Sequence, residues 1–146
     1  PSKTVVTPHP GEMGRLTGKA TGEVTAHLLE TALVFAKKAD TVCVLKDART
    51  VTAAPDGQYR VNLTGNHGMA TGGSGDVLAG LLAGLLAQGM PEFEAAQVAC
   101  FLHGLAGNLA KERKGARGMI AGDILEMLPD ALMHTGEEGW NENAGI

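Results

Sequence analysis

Between Glu23 and Lys38 the apolar residues Val24, Leu28, Leu29, Ala32, Leu33, Phe35 and Ala36 recur at intervals of three and four, the spacing that turns one helix face to a core. A helix is predicted there, with Lys37 and Lys38 at the end that favours cations. The period then changes. Thr41 to Lys46 is almost continuously apolar, as a strand covered on both faces would be, and helix followed by such a strand predicts an α/β sheet with parallel pairing. Upstream, Lys3 to Thr7 is a β-branched run stopped by Pro8 and Pro10, and Glu12 to Leu16 suits a short helix closed by Gly18.

Downstream, Arg49 to Ala54 and Gln58 to Leu63 flank Pro55, Asp56 and Gly57, a turn that predicts a hairpin at an antiparallel edge. Three helices are predicted beyond it: Asp76 to Gln88, Glu92 to Lys111, and Gly122 to Leu132, the last kinked or restarted at Pro129. Gly80 and Gly84, four apart on the first, are expected to mark close packing against a neighbour. From His134 the periodicity ends. Residues 1–133 therefore read as domain and 134–146 as a mobile tail.

Composition narrows the partners. In 146 residues, 12 basic against 16 acidic side chains give a net charge of -4, and no basic stripe tracks a nucleic-acid backbone. The longest apolar stretch, Val77 to Ala87, is broken by glycine and too short to span a bilayer, so a membrane is not an expected partner and a cytoplasmic location is. Cys43 and Cys100 have no metal-ligand spacing around them and read as buried thiols.

The chemistry is concentrated between Asn66 and Gly80. Gly72, Gly73, Ser74 and Gly75 precede an apolar helix, so a flexible backbone can direct its amides at an anion where the helix N-terminus already offers unpaired donors. Asp76 follows at once. A carboxylate would repel phosphate there unless it takes a proton from an attacking hydroxyl, or unless it simply caps the helix. Lys46, Asp47, Ala48, Arg49 and Thr50 stand at the carboxyl end of the buried strand, where open α/β sheets place ligands, although a charged loop there needs no ligand. His9, held between two prolines at another strand end, can donate or accept at neutral pH. His103 falls on the core side of its helix and reads as a hydrogen-bonded structural histidine.

The run Met-Ala-Thr-Gly-Gly-Ser-Gly-Asp-Val-Leu-Ala-Gly at 69–80 resembles the signature of the ribokinase-like superfamily. Together with Thr7-Pro8-His9-Pro10-Gly11-Glu12 and Phe101-Leu102-His103-Gly104, it resembles one branch in particular, the ADP/ATP-dependent NAD(P)H-hydrate dehydratases. The resemblance implies a ribokinase-like three-layer α/β fold with a mostly parallel sheet, represented here by its C-terminal half. It implies repair of hydrated NADH and NADPH, (S)-NAD(P)HX, with ADP or ATP as phosphoryl donor. Asp76 would be the base and meet the substrate with His9; Lys46 to Thr50 and Gly75 would line the adenine nucleotide, and Gly72 to Gly75 would form the anion hole.

Asp47 and Arg49 depart from the family's usual glycine and variable residue. Mg2+ is expected at the nucleotide phosphates, but no carboxylate cluster singles out its ligands and no metal-binding residue is assigned. A homo-oligomer is also implied. The alternatives are a small-molecule kinase of the same fold, acting on a vitamin precursor or sugar, and a nucleotide-binding fragment without turnover.

Overall fold

The computed structural model describes residues 4–137. Four strands form one sheet in the order β1 (Val5–Val6), β2 (Val42–Leu45), β3 (Val51–Ala53) and β4 (Tyr59–Val61). β1 pairs with β2 in parallel, and the two later pairings are antiparallel. The expectation of a mostly parallel sheet therefore holds among these strands only for the β1–β2 pair, because the predicted hairpin supplies the rest. Gly57, at φ 94°, takes the left-handed position of its turn, and the Asp56 carboxylate accepts from the Gln58 amide at 3.0 Å.

Alternation along β2 divides the core in two. Cys43 and Leu45 face Met13, Val24, Ala32 and Ala36 on one side, whereas Val42 and Val44 face Leu78, Leu82, Ala95 and Ala99 on the other. Both faces are dry, which is why this strand reads as a continuous apolar run. The first side is covered by α1 (Pro10–Thr17), α2 (Thr21–Ala26) and α3 (Leu28–Ala39), and the second by α4 (Ser74–Ala87) and α5 (Glu92–Lys114). The result is three layers. α5 also packs on α6 (Ala121–Glu126) and α7 (Leu128–Glu137) through Leu102, Ala106, Ala110, Ile124 and Ala131.

The single helix predicted over 23–38 is two. His27 leaves helical geometry at φ -126° and ψ 46°, yet its amide still bonds to Glu23 and its carbonyl still accepts from Thr31. Apolar phase survives one non-helical residue, so the spacing hides the break. Near the other end the chain restarts at Met127, with Pro129 in the first turn of α7 where its missing N–H costs nothing. α7 continues to Glu137, so residues 134–137 are helical rather than tail, and the remainder of the expected tail lies outside the described residues.

Gly80 and Gly84 are also corrected. Both are exposed on α4, and a Cβ at either would meet nothing within 4 Å among the described residues. The close approaches are on α5 instead. A Cβ on Gly104 would run into Thr64, and one on Gly107 into the Met69 side chain. These gaps admit a strap, residues 62–69, whose side chains bond to α5 carbonyls: Asn62 to Cys100 at 3.2 Å, Thr64 to Phe101 at 3.0 Å and Asn66 to Gly107 at 2.9 Å. The strap delivers the chain to the N-terminus of α4.

Candidate functional site

Parallel β1 and β2 end on the same edge of the sheet, so the loops that leave them meet. The Lys46 amide donates to the Pro8 carbonyl at 2.9 Å, joining the loop that carries His9 to the loop that carries Lys46. His9 is the N-cap of α1: its Nδ1 accepts from the amides of Gly11 at 3.0 Å and Glu12 at 3.3 Å, while Glu12 accepts from the His9 amide at 2.7 Å. This reciprocal cap fixes the ring. With Nδ1 accepting, the ring proton is on Nε2, which stands 3.6 Å from the Glu12 carboxylate, so a ligand would compete with Glu12 for it. Glu12 is thus the first-turn acid expected from the sequence, and its carboxyl is held below the usual range chiefly by the bond from the His9 backbone.

The glycine loop closes on the same edge. Gly73 caps α4 at φ 87°, a left-handed conformation that disfavours side chains, and a Cβ there would also press on Ala121 at 3.2 Å. Hydrogen bonds in the turn run from Ser74 to Thr71, from Asp76 to Gly73 and from Val77 to Gly73; the amides of Gly72, Gly73 and Gly75 are not among the donors. Asp76 is not the cap. No side chain caps α4, and Asp76 sits exposed in its first turn with its carboxylate outside the capping scheme. The capping alternative for this residue is therefore set aside.

Lys46 brings positive charge to this helix end. Its Nζ lies 3.3 Å from where a Cβ on Gly75 would stand, beside amides that already carry the positive end of the α4 dipole. Among the described residues Lys46 forms no salt bridge. Two positive features on one spot repel each other and favour an anion between them. Burial holds the His103 imidazole below its usual pKa of 6.5; a bond to the Ser74 backbone opposes this and the charge of Lys46 adds to it, and with burial the largest of the three this ring adds no third charge.

A cavity of about 710 Å3 opens along this edge. Of the residues expected at the site, it is lined by His9, Lys46, Asp47, Ala48, Thr50, Ser74 and Gly75; Arg49, Gly72, Gly73 and Asp76 stand outside its wall. Arg49 lies in the loop between the lining residues Ala48 and Thr50, and Gly72, Gly73 and Asp76 flank the lining turn. Sequence reasoning missed Asn62, Thr64, Asn66 and His67, which the strap brings to the wall, and treated His103 as structural although it also lines the cavity. Only the spacing of Asn62, Thr64 and Asn66, polar at every second residue, could have flagged the strap.

Among the described residues no three His, Cys, Asp or Glu side chains gather as a metal cage, and no helix is long and apolar enough to cross a membrane. Cys43 and Cys100 are both buried, with burial pushing their thiols up to about 12 and about 11.

A model of the NAD(P)H-hydrate dehydratase family matches residues 1–130. The bifunctional NAD(P)H-hydrate repair enzyme Nnr of Moorella thermoacetica is 50% identical over 134 residues, which are 92% of this chain and 25% of that protein. The crystal structure of the ADP/ATP-dependent NAD(P)H-hydrate dehydratase from Bacillus subtilis, co-crystallised with ATP/Mg2+, superposes with a TM-score of 0.85 at 37% identity, covering 89% of this chain and 47% of that one. A ribokinase-like superfamily protein from Enterococcus faecalis V583 gives a TM-score of 0.77 at 36% identity, covering 92% and 45%. The fold is ribokinase-like. The chain spans a quarter of the first relative and just under half of the two solved structures.

Proposed function

This chain belongs to the NAD(P)H-hydrate dehydratase family, and from that membership we propose that it takes part in the nucleotide-dependent dehydration of hydrated NADH and NADPH. The observation that carries the reading is the meeting of Lys46 with the N-terminus of α4 at Gly75, a positively biased corner on the wall of a cavity large enough for a ligand. A terminal phosphoryl group of ADP or ATP fits that corner. The loop Lys46 to Thr50 would run along the rest of the nucleotide, with Lys46, Asp47, Ala48 and Thr50 supported by their place on the wall. Arg49 has no such support.

In this reading the hydroxyl on the hydrated ring gives its proton to Asp76 and its oxygen attacks the terminal phosphorus. The bond to the leaving nucleotide breaks, releasing AMP from ADP or ADP from ATP. Phosphate then departs from the ring carbon as the neighbouring carbon loses a proton, which restores the double bond. What supports Asp76 as the base is its place in the first turn of α4, next in the chain to Gly75, with its side chain exposed and uncommitted to capping. Amides of Gly72, Gly73 and Gly75 can stabilise charge on the transferring oxygens, each such donor contributing on the order of 3 kcal/mol in a site closed to water. His9 would meet the hydrated ring through Nε2.

Mg2+ would neutralise charge on the nucleotide phosphates when bound. The described side chains form no cluster of three or more His, Cys, Asp or Glu that would hold it; its ligands would be phosphate and water, or residues beyond this chain. A homo-oligomer in the cytoplasm completes the reading, checked by sedimentation and by fractionation of cells.

The test is recovery of the reduced-nicotinamide absorbance when the protein meets hydrated NADH, Mg2+ and either ADP or ATP, with phosphate assayed in parallel. Recovery with matching phosphate release supports the reading and identifies the donor. A phosphorylated product without recovery would make the protein a kinase of the same fold, and nucleotide binding without turnover would make it a non-catalytic binder.

A further inference from the structure

Ser74 and His103 are both more than nine-tenths buried, with relative exposures of 8% and 9%, and both reach the cavity wall. The Ser74 Oγ and the His103 Nε2 are 3.4 Å apart. Ser74 opens α4 between Gly73 and Gly75, in the middle of the anion corner, but its amide is already spent on the Thr71 carbonyl at 3.3 Å. Whatever Ser74 contributes to a ligand therefore comes from its hydroxyl.

A hydroxyl has one proton and must choose between the imidazole and the anion. We propose that His103 is a positioning residue that donates from Nε2 to the Ser74 Oγ and so turns the Ser74 hydroxyl proton toward the terminal phosphate of the bound nucleotide. The inference rests on the reading that a phosphoryl group occupies the N-terminus of α4. His103 is well fixed for the task. Thr64 bonds to the Phe101 carbonyl at 3.0 Å and Asn66 to the Gly107 carbonyl at 2.9 Å, so the strap pins α5 on both sides of the histidine. Burial keeps the ring neutral, which leaves one nitrogen protonated and avoids a second cation against Lys46.

Titration of the parent, Ser74→Ala, His103→Leu, the double variant and His103→Gln with ADP and separately with AMP tests the proposal. AMP has the same base, sugar and first phosphate but lacks the terminal one, so its affinity reports a merely structural effect. Each single variant should lose about tenfold for ADP, and the double variant no more than either alone, since a hydrogen bond to a charged group is removed once. His103→Gln, whose amide nitrogen can donate near the same point, should recover most of the loss. AMP affinity should stay level throughout. Additive losses, or equal losses for ADP and AMP, would overturn the role. A parent that bound AMP but gained nothing from the terminal phosphate of ADP would instead remove the phosphate reading itself, and the proposal with it.

Discussion

Gly75 leaves open the space in which the Lys46 ammonium rests: a Cβ at that position would lie 3.3 Å from Nζ. The pair separates binding from stability. Gly75 has a helical place in α4, so Gly75→Ala should raise stability by up to about 1 kcal/mol through helix propensity, because the flexible lysine end yields easily. The same methyl shifts the ammonium, so ADP affinity should fall by about tenfold. Thermal unfolding and calorimetric titration check the two halves; a variant that lost stability and kept its affinity would contradict the assignment. Gly73→Ala, at φ 87°, should instead destabilise.

His9 serves the fold through Nδ1 and is proposed to serve the substrate through Nε2. Asparagine can replace the first role alone. His9→Asn should keep the cap of α1 and melt close to the parent, whereas His9→Ala should cost about 1 kcal/mol. Both should weaken binding of hydrated NADH more than of ADP. Equal loss of the two ligands in both variants would remove His9 from the substrate site.

The strap on α5 depends on two missing side chains. Gly107→Ala would force the Met69 side chain out, and Gly104→Ala would collide with the Thr64 backbone as well as its side chain. Overpacking of this kind costs typically about 1–3 kcal/mol, with Gly104→Ala at the higher end because backbone cannot turn away. Denaturant titration gives the order. Truncating the displaced side chain, as in Met69→Ala with Gly107→Ala, should recover part of the second loss.

Acid should weaken the fold in two stages. His103 is held below its usual 6.5 by burial, so below that pH the unfolded chain binds the proton more readily than the folded protein does. Stability is therefore full above that value and falls as the pH drops through it toward the lower folded pKa. Glu12 and Asp123, held below 4.5 and 3.8 mainly by the backbone amides of His9 and Ile120, contribute stability present above those values and lost beneath them. His103→Gln should abolish the first stage and leave the second. Unfolding measured in steps downward from pH 6.5 decides it, since an unchanged slope in the variant would assign the loss elsewhere.

Much of the fold could be read from periodicity and turn chemistry: β2 from its unbroken apolar run, the hairpin from Pro55, Asp56 and Gly57, and α1 from Pro8 before it, Pro10 at its first position and Gly18 after it. The break at His27 could not, because the apolar phase passes through it unchanged. The glycine loop stood out by its composition before an apolar helix, and the loop at Lys46 by its place at a strand end; the structure brings both to one cavity wall. The role of α5 was not. That Gly104 and Gly107 admit a strap, and that His103 meets Ser74 at 3.4 Å across 29 positions of chain, are consequences of tertiary packing that no local spacing carries. Gly80 and Gly84 show the converse, a local pattern that tertiary structure leaves unused.

We propose that Asp76 takes the proton that starts phosphoryl transfer, and comparing Asp76→Asn with the parent for recovery of NADH from its hydrate, with Mg2+ and either ADP or ATP, tests this. Loss of a positioned base predicts a fall of about a hundredfold or more in the rate, with matching loss of phosphate release and nucleotide affinity nearly unchanged. Recovery by the variant at the parent's rate would contradict the claim.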